Sequence, residues 1–165
     1  MKLEWMGRYR ELLAALVLHG NVVSRTQSDL MDLGEGIFLT SQQWQIFEYL
    51  VEHRDHRFSM NDISYRLNIP QSTFSKTVKI LLESGLVEKY QAVNNRKNII
   101  LHPTEKGLVL YKNFSENNLR PMFERIFHTL DHISDEDLHS VAMAIVALDN
   151  ELLPERKEEV EIIKV

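Results

Sequence analysis

Residues 59–107 read SMNDISYRLNIPQSTFSKTVKILLESGLVEKYQAVNNRKNIILHPTEKG. The opening Ser59-Met60-Asn61-Asp62 is a helix-start signature: the serine oxygen serves a backbone N–H three residues on and the acid reaches back, ahead of Ile63 and Leu67 at helical spacing. Asn68-Ile69-Pro70 ends that helix, because a residue before proline is pushed out of the helical region. A second helix is expected from about Gln71 to Ser84, closed by Gly85 in a left-handed C-terminal cap. Phe74, Val78, Leu81 and Leu82 form its inward stripe. Leu86 to Tyr90 and Lys97 to Leu101 are strand-like and flank a polar tip at Asn94-Asn95-Arg96. Helix resumes after Pro103 with Thr104 as cap. Helix, tight turn, helix, basic-tipped hairpin and helix is the order of a winged helix-turn-helix.

The outward face of the second helix points to a partner. Gln71, Ser72, Thr73, Ser75, Lys76 and Lys79 offer hydroxyl, amide and ammonium groups, with Glu83 the one acid. Such groups bond phosphates and base edges, so double-stranded DNA is the expected partner. Ser59, at a helix N-terminus, adds backbone amides suited to a phosphate.

Composition sets outer limits. The 165 residues, 44% of them apolar, suffice for one respectable core. The longest apolar run, Leu12 to Leu18, is far short of the roughly 20 residues needed to cross a bilayer, and the start, Met1-Lys2-Leu3-Glu4-Trp5, has no secretory signature. A cytoplasmic protein without membrane contact is expected. Cysteine is absent, which excludes disulfide scaffolds, thiolate zinc fingers and sensors that oxidise their own thiols. The net charge of −5 is segregated: Phe58 to His102 holds six Lys/Arg against three acids, whereas Asp131 to Val165 holds ten acids against three bases. A surface locally positive and elsewhere negative orients itself on a duplex.

The expected fold class is mainly α with a small β-hairpin wing, in a single domain over 1–165. Met6, Tyr9, Leu13, Leu16, Gly20, Val23 and Leu30 predict one long helix over 3–33, ending near Gly34-Glu35-Gly36. Thr40-Ser41-Gln42-Gln43 is a capping box for a helix bearing Trp44, Phe47, Leu50 and Val51. The winged module is placed at 38–107. Helices follow over 108–153, interrupted at Pro121 and restarted at Ser134-Asp135-Glu136-Asp137, and 154–165 is a charged tail. The terminal helices at 3–33 and 108–153 carry more apolar surface than a small winged core covers. A symmetric homodimer with interlocking terminal helices satisfies them; the alternative is a monomer in which they fold back over the core.

Four stretches in order resemble the MarR family of transcription regulators: Leu39-Thr40-Ser41-Gln42-Gln43-Trp44; Ser72-Thr73-Phe74-Ser75-Lys76-Thr77-Val78; Leu81 with Gly85-Leu86-Val87; and Thr104-Glu105-Lys106-Gly107. The family's wing carries Asp-x-Arg nine residues before that threonine. Here the ungapped register puts Asn95 and Lys97 at those positions, while Asn94 and Arg96 match with one residue inserted in the following strand. Either way the acid that braces the wing is missing.

The resemblance implies an obligate homodimer and a sequence-specific, effector-responsive repressor at an inverted-repeat operator with half-sites about one helical turn apart. It places Gln71, Ser72, Thr73, Ser75 and Lys76 at bases or nearby phosphates, Lys79 at a phosphate, and Asn95, Arg96 and Lys97 at the wing tip by the minor groove. Gln71 is then a bidentate reader of adenine. The family's effectors are often small organic compounds held between the dimerisation helices and the winged module. Tyr9, Trp44, Phe47, Tyr111 and Phe114 are lining candidates, although aromatics at this spacing more often form core.

No cofactor is expected, and no catalytic motif occurs: the chain has no Gly-rich phosphate loop, nucleophile elbow or zinc-hydrolase signature. His128 and His132, at i, i+4, suit a divalent ion if they share a helix face, which leaves a zinc-responsive regulator as one alternative. The other is a winged module for protein interaction, which would expose apolar groups on its second helix.

Overall fold

A computed structural model describes residues 4–92 and 95–152, with the backbone alone for 92 and 95–98. The chain divides into two compact units, Met1–Leu119 and Arg120–Val165. After a 3-10 segment, Glu4–Tyr9, the first unit runs α1 (Arg10–Thr26), β1 (Leu30–Gly34), β2 (Ile37–Thr40), α2 (Ser41–Glu52), α3 (Met60–Arg66), α4 (Gln71–Glu83), β3 (Val87–Ala92), β4 (Asn95–Pro103) and α5 (Glu105–Phe114). The second contains α6 (Arg120–Leu130) and α7 (Asp135–Leu152).

The single helix expected over 3–33 is corrected. It stops at Thr26, and residues 30–40 form an antiparallel hairpin in which Leu30 pairs with Thr40 and Gly34 with Ile37. The glycines read as a helix terminus instead make a two-residue turn, with φ +55° at Glu35 and +74° at Gly36. Two positive φ values match the right-handed twist of a tight hairpin. Leu33, Ile37 and Leu39 face inward, while Leu30 and Phe38 face out, so the segment alternates with period two.

The core of the first unit gathers one face from each element. Leu39, Ile46, Phe47, Phe74, Leu81 and Leu86 are fully buried. Trp44 stacks on Tyr111 with ring centroids 5.4 Å apart and sits 4.7 Å from the Phe114 ring. These aromatics, with Phe47, are core packing, whereas Tyr9 is exposed. The Thr40 capping box forms as expected: Gln43 N–H donates to Thr40 Oγ1 at 3.3 Å and Thr40 N–H donates to Gln43 Oε1 at 2.9 Å.

The expected interruption near Pro121 takes the form of a π-type turn, Ser115–Leu119, after which α6 begins. Pro121 is the second residue of α6, directly after that π segment with no non-helical residue between, so its missing N–H falls where the helix departs from the regular i→i−4 pattern. Ser134 starts α7, accepting from Asp137 N–H at 3.1 Å. Neither α1, α6 nor α7 buries a residue. Among the described residues no helix is long and apolar enough to cross a membrane.

Candidate nucleic-acid interface

Capping, turn and helix C-terminus together fix the presentation of α4. Asp62 N–H donates to Ser59 Oγ at 3.2 Å, while Ser59 N–H and its hydroxyl donate to Asp62 Oδ2 at 2.9 and 2.6 Å. These bonds stabilise the ionised acid and hold the Asp62 carboxyl below the ordinary range. The Ser59 hydroxyl and backbone N–H are therefore both engaged by Asp62, which puts a carboxylate at this helix start. The connection from α3 turns through Asn68 at φ +52°, and Ile69 N–H donates to the Ser64 carbonyl at 2.9 Å. Pro70 then precedes the first residue of α4.

Phe74, Thr77, Val78 and Leu81 bury the inner face of α4. Leu82, expected with them, is only partly buried. Gln71, Ser72, Ser75, Lys76 and Lys79 are exposed together, and Thr73 is half-buried beside them. Lys79 Nζ lies 3.7 Å from Glu83 on the solvated face. Lys76 has no ion-pair partner among the described residues. Gln71 is less free than its sequence position implied: its amide oxygen is 2.5 Å from the hydroxyl of buried Ser64 on α3.

The wing is the β3–β4 hairpin, with Val87 opposite Pro103 and Gln91 opposite Ile99. At the tip the register jumps so that Ala92 pairs with Asn95. Arg96 and Lys97 therefore lie in extra residues within β4, the strand where the Asn94/Arg96 register needs an insertion. Asn94 and the side chains of Asn95, Arg96 and Lys97 lie outside the described residues. At the wing root, Ser59 bridges Ile100 and ties the start of α3 to β4. Arg66 lies over the Phe58 ring at 4.3 Å. Tyr90 donates to Glu88 at 2.7 Å, a bond to the neutral phenol that raises its pKa.

Thr104 to Gly107 form a clasp at the C-terminus of α4. The Thr104 hydroxyl donates to the Gly85 carbonyl at 2.6 Å and its oxygen accepts from Gly107 N–H at 3.0 Å. Thr104 N–H donates to the Leu86 carbonyl at 2.9 Å. Lys106 Nζ donates to the Ser84 carbonyl at 3.3 Å and sits 3.7 Å from Glu35 in the β1–β2 turn. An ammonium at the end of α4 also complements its dipole. The motif used as a family landmark thus ties the C-terminus of α4 to the start of α5.

Residues 39–97, from β2 into β4, match the model of the MarR family. That match spans the winged module and about a third of the chain. A comparison with curated proteins gives no match. Among solved structures, the S. aureus MepR–DNA complex is 18% identical with a TM-score of 0.60, over 92% of this chain and 100% of that one. The transcriptional regulator SlyA is 18% identical, TM-score 0.61, over 86% and 92%. The zinc-responsive MarR family member ZitR of Lactococcus lactis is 18% identical, TM-score 0.59, over 88% and 99%. At such identity the likeness is one of fold, the fold of MarR-family transcription regulators.

Of the histidine pair considered for metal, His128 lies on α6 and His132 beyond its end. The helix ends at Leu130, so His132 falls in the following turn, and His128 Nδ1 lies 3.1 Å from Asp131. Among the described residues no group of three metal-ligating side chains occurs. Sequence reasoning missed the contacts of Ser64 and Lys106. Ser64 carried a weak signal, a serine on the apolar side of a short helix, whereas Lys106 belongs to a landmark motif but its bridge carried no signal, because its partners Ser84 and Glu35 are distant in sequence.

Proposed function

We propose that this protein is a homodimeric, sequence-specific DNA-binding transcription regulator, an effector-responsive repressor of an inverted-repeat operator. The observation that carries the reading is the outward face of α4, where Ser72, Ser75, Lys76 and Lys79 stand exposed beside a hairpin wing. A MarR module whose recognition face is polar and basic fits a major groove, with N-terminal residues of the helix at base edges. MepR, which shares the fold, is seen bound to DNA.

Dimerisation is supported by uncovered apolar surface. Val17, Val22 and Val23 on α1, Phe123, Ile126 and Phe127 on α6, and Val141, Val146 and Leu148 on α7 are all exposed. Apolar area on this scale marks an interaction surface, and two-fold pairing of identical chains is the commonest way to cover it. An effector that binds one arrangement of the dimer better than another changes the spacing of the two recognition helices, and with it the affinity for two successive half-sites.

The test is selection from a randomised duplex pool over a salt series, with the mass of the complex followed by sedimentation. An enriched inverted repeat, half-sites about one turn apart, bound by two chains with strong salt dependence is the expected result. Absence of enrichment, with and without zinc or phenolic compounds, would shift the reading to a protein-interaction module.

A further inference from the structure

Ser64 and Thr77 are the buried polar side chains among the described residues. Ser64 lies on α3, and its Oγ is 2.5 Å from the amide oxygen of Gln71, the first residue of α4, and 3.0 Å from the Asn61 carbonyl. A serine hydroxyl carries one hydrogen. A separation of 2.5 Å suits O–H···O and is too short for N–H···O. The amide oxygen therefore faces Ser64 and takes that hydrogen, while the longer contact to Asn61 is the weaker competitor. Gln71 is otherwise exposed, so its Nε2 hydrogens point away from this bond.

We propose that Ser64 sets the base preference of Gln71. The inference rests on the DNA-reading role proposed above and goes one step further, to which bases are read. A free glutamine offers an acceptor and a donor together and pairs bidentately with adenine N6 and N7. With its oxygen turned toward α3 and one lone pair taken by Ser64, Gln71 leads outward with its donors. Donors alone match the paired acceptors O6 and N7 of guanine or O4 of thymine, whereas adenine offers them N7 only and its N6 amino group, like N4 of cytosine, finds no acceptor. Ser64 never reaches the DNA itself; it is a positioning residue that turns a two-sided reader into a one-sided one. The bidentate adenine contact read from the sequence is thereby replaced by a preference for keto-bearing bases.

The experiment repeats the pool selection with the full chain and its Ser64→Ala, Gln71→Ala and Gln71→Glu variants, each checked by thermal melting. One position per half-site is expected to favour guanine or thymine in the wild type and to lose its preference in Gln71→Ala. In Ser64→Ala the released amide shifts that position toward adenine, by about tenfold in relative affinity, while affinity for random duplex stays unchanged. Gln71→Glu keeps an oxygen for Ser64 but has no donor, and the guanine or thymine preference disappears without any change at position 64. An unchanged base preference in Ser64→Ala, adenine already favoured by the wild type at that position, or no Gln71-dependent position overturns the inference and leaves DNA binding intact. If the wild type enriches nothing, the DNA-binding reading fails and this inference with it.

Discussion

Gly107 and Leu86 meet backbone to backbone: a Cβ on Gly107 would overlap the Leu86 carbonyl oxygen and lie 3.1 Å from its carbonyl carbon. That oxygen also accepts from Thr104 N–H, so it cannot retreat without breaking the clasp. Gly107→Ala should destabilise the chain by about 1–3 kcal/mol through overpacking, read as a lower urea midpoint. A midpoint equal to wild type would show that the close approach of α5 to Leu86 is not needed.

The Thr104 hydroxyl serves two roles, donating to Gly85 and accepting from Gly107. Thr104→Val keeps the shape and removes both. The expected cost is about 1–2 kcal/mol, the range for a lost N-cap, and amide exchange at Gly107, whose N–H loses its acceptor, should rise ahead of the rest of the core. Uniform exchange across the module would contradict a local clasp.

Glu48, half-buried on α2, has its pKa raised, first by burial and then by the nearby Glu52 charge, against an opposing bond from the Trp44 indole. A folded-state pKa above the unfolded one means the contribution is favourable while the acid is protonated and is lost as pH rises through the folded value. Glu48→Gln should therefore melt higher than wild type at pH 7 and alike below the ordinary glutamate range. Because the group is half-exposed, the gain is below about 1 kcal/mol. The Tyr111 phenol, pushed up by burial and then by Glu48 and Glu52, should titrate lower in this variant. Equal melting curves across pH would remove the Glu48 charge from the account.

An acid on α1 separates the dimer from a lone chain. Val17 is 66% exposed in the single chain and α1 buries nothing, so in a monomer Val17→Glu changes stability by no more than about 0.5 kcal/mol. In a dimer that covers α1 it buries a charge, and sedimentation at micromolar concentration should show one chain in place of two. An unaltered dimer would place the interface elsewhere.

The sequence carried the winged module because its signals are local: the Ser59 and Thr40 capping boxes, Pro70, the Phe74 to Leu81 stripe and Gly85 each act within a few residues and agree with one another. It failed at residues 27–40, where Leu30 fits both a helical stripe extended from Val23 and a period-two strand, and Gly34-Glu35-Gly36 serves equally as helix stop or hairpin turn. Tertiary packing of Leu33, Ile37 and Leu39 decided between them. In the site, the exposed face of α4 was legible from spacing alone. The Ser64 bond to Gln71 and the Lys106 bridge to Ser84 and Glu35 were not, since a contact across a turn or between distant segments leaves no periodic trace.

The two lysines of α4 should respond differently to salt. Lys76 stands without an ion-pair partner among the described residues, whereas Lys79 is 3.7 Å from Glu83 with both side chains largely exposed. An exposed pair is worth no more than about 1 kcal/mol, so a phosphate displaces Glu83, but its nearby charge still opposes the approach of DNA. Lys76→Ala should weaken binding to every duplex and reduce the salt slope by about one, the signature of one lost phosphate contact. Glu83→Gln should tighten binding to operator and random duplex alike without changing base preference, and adding Lys79→Ala should cancel the gain. If all three variants match wild type in affinity and slope, α4 does not face the DNA backbone and the positively charged surface that does lies elsewhere on the module.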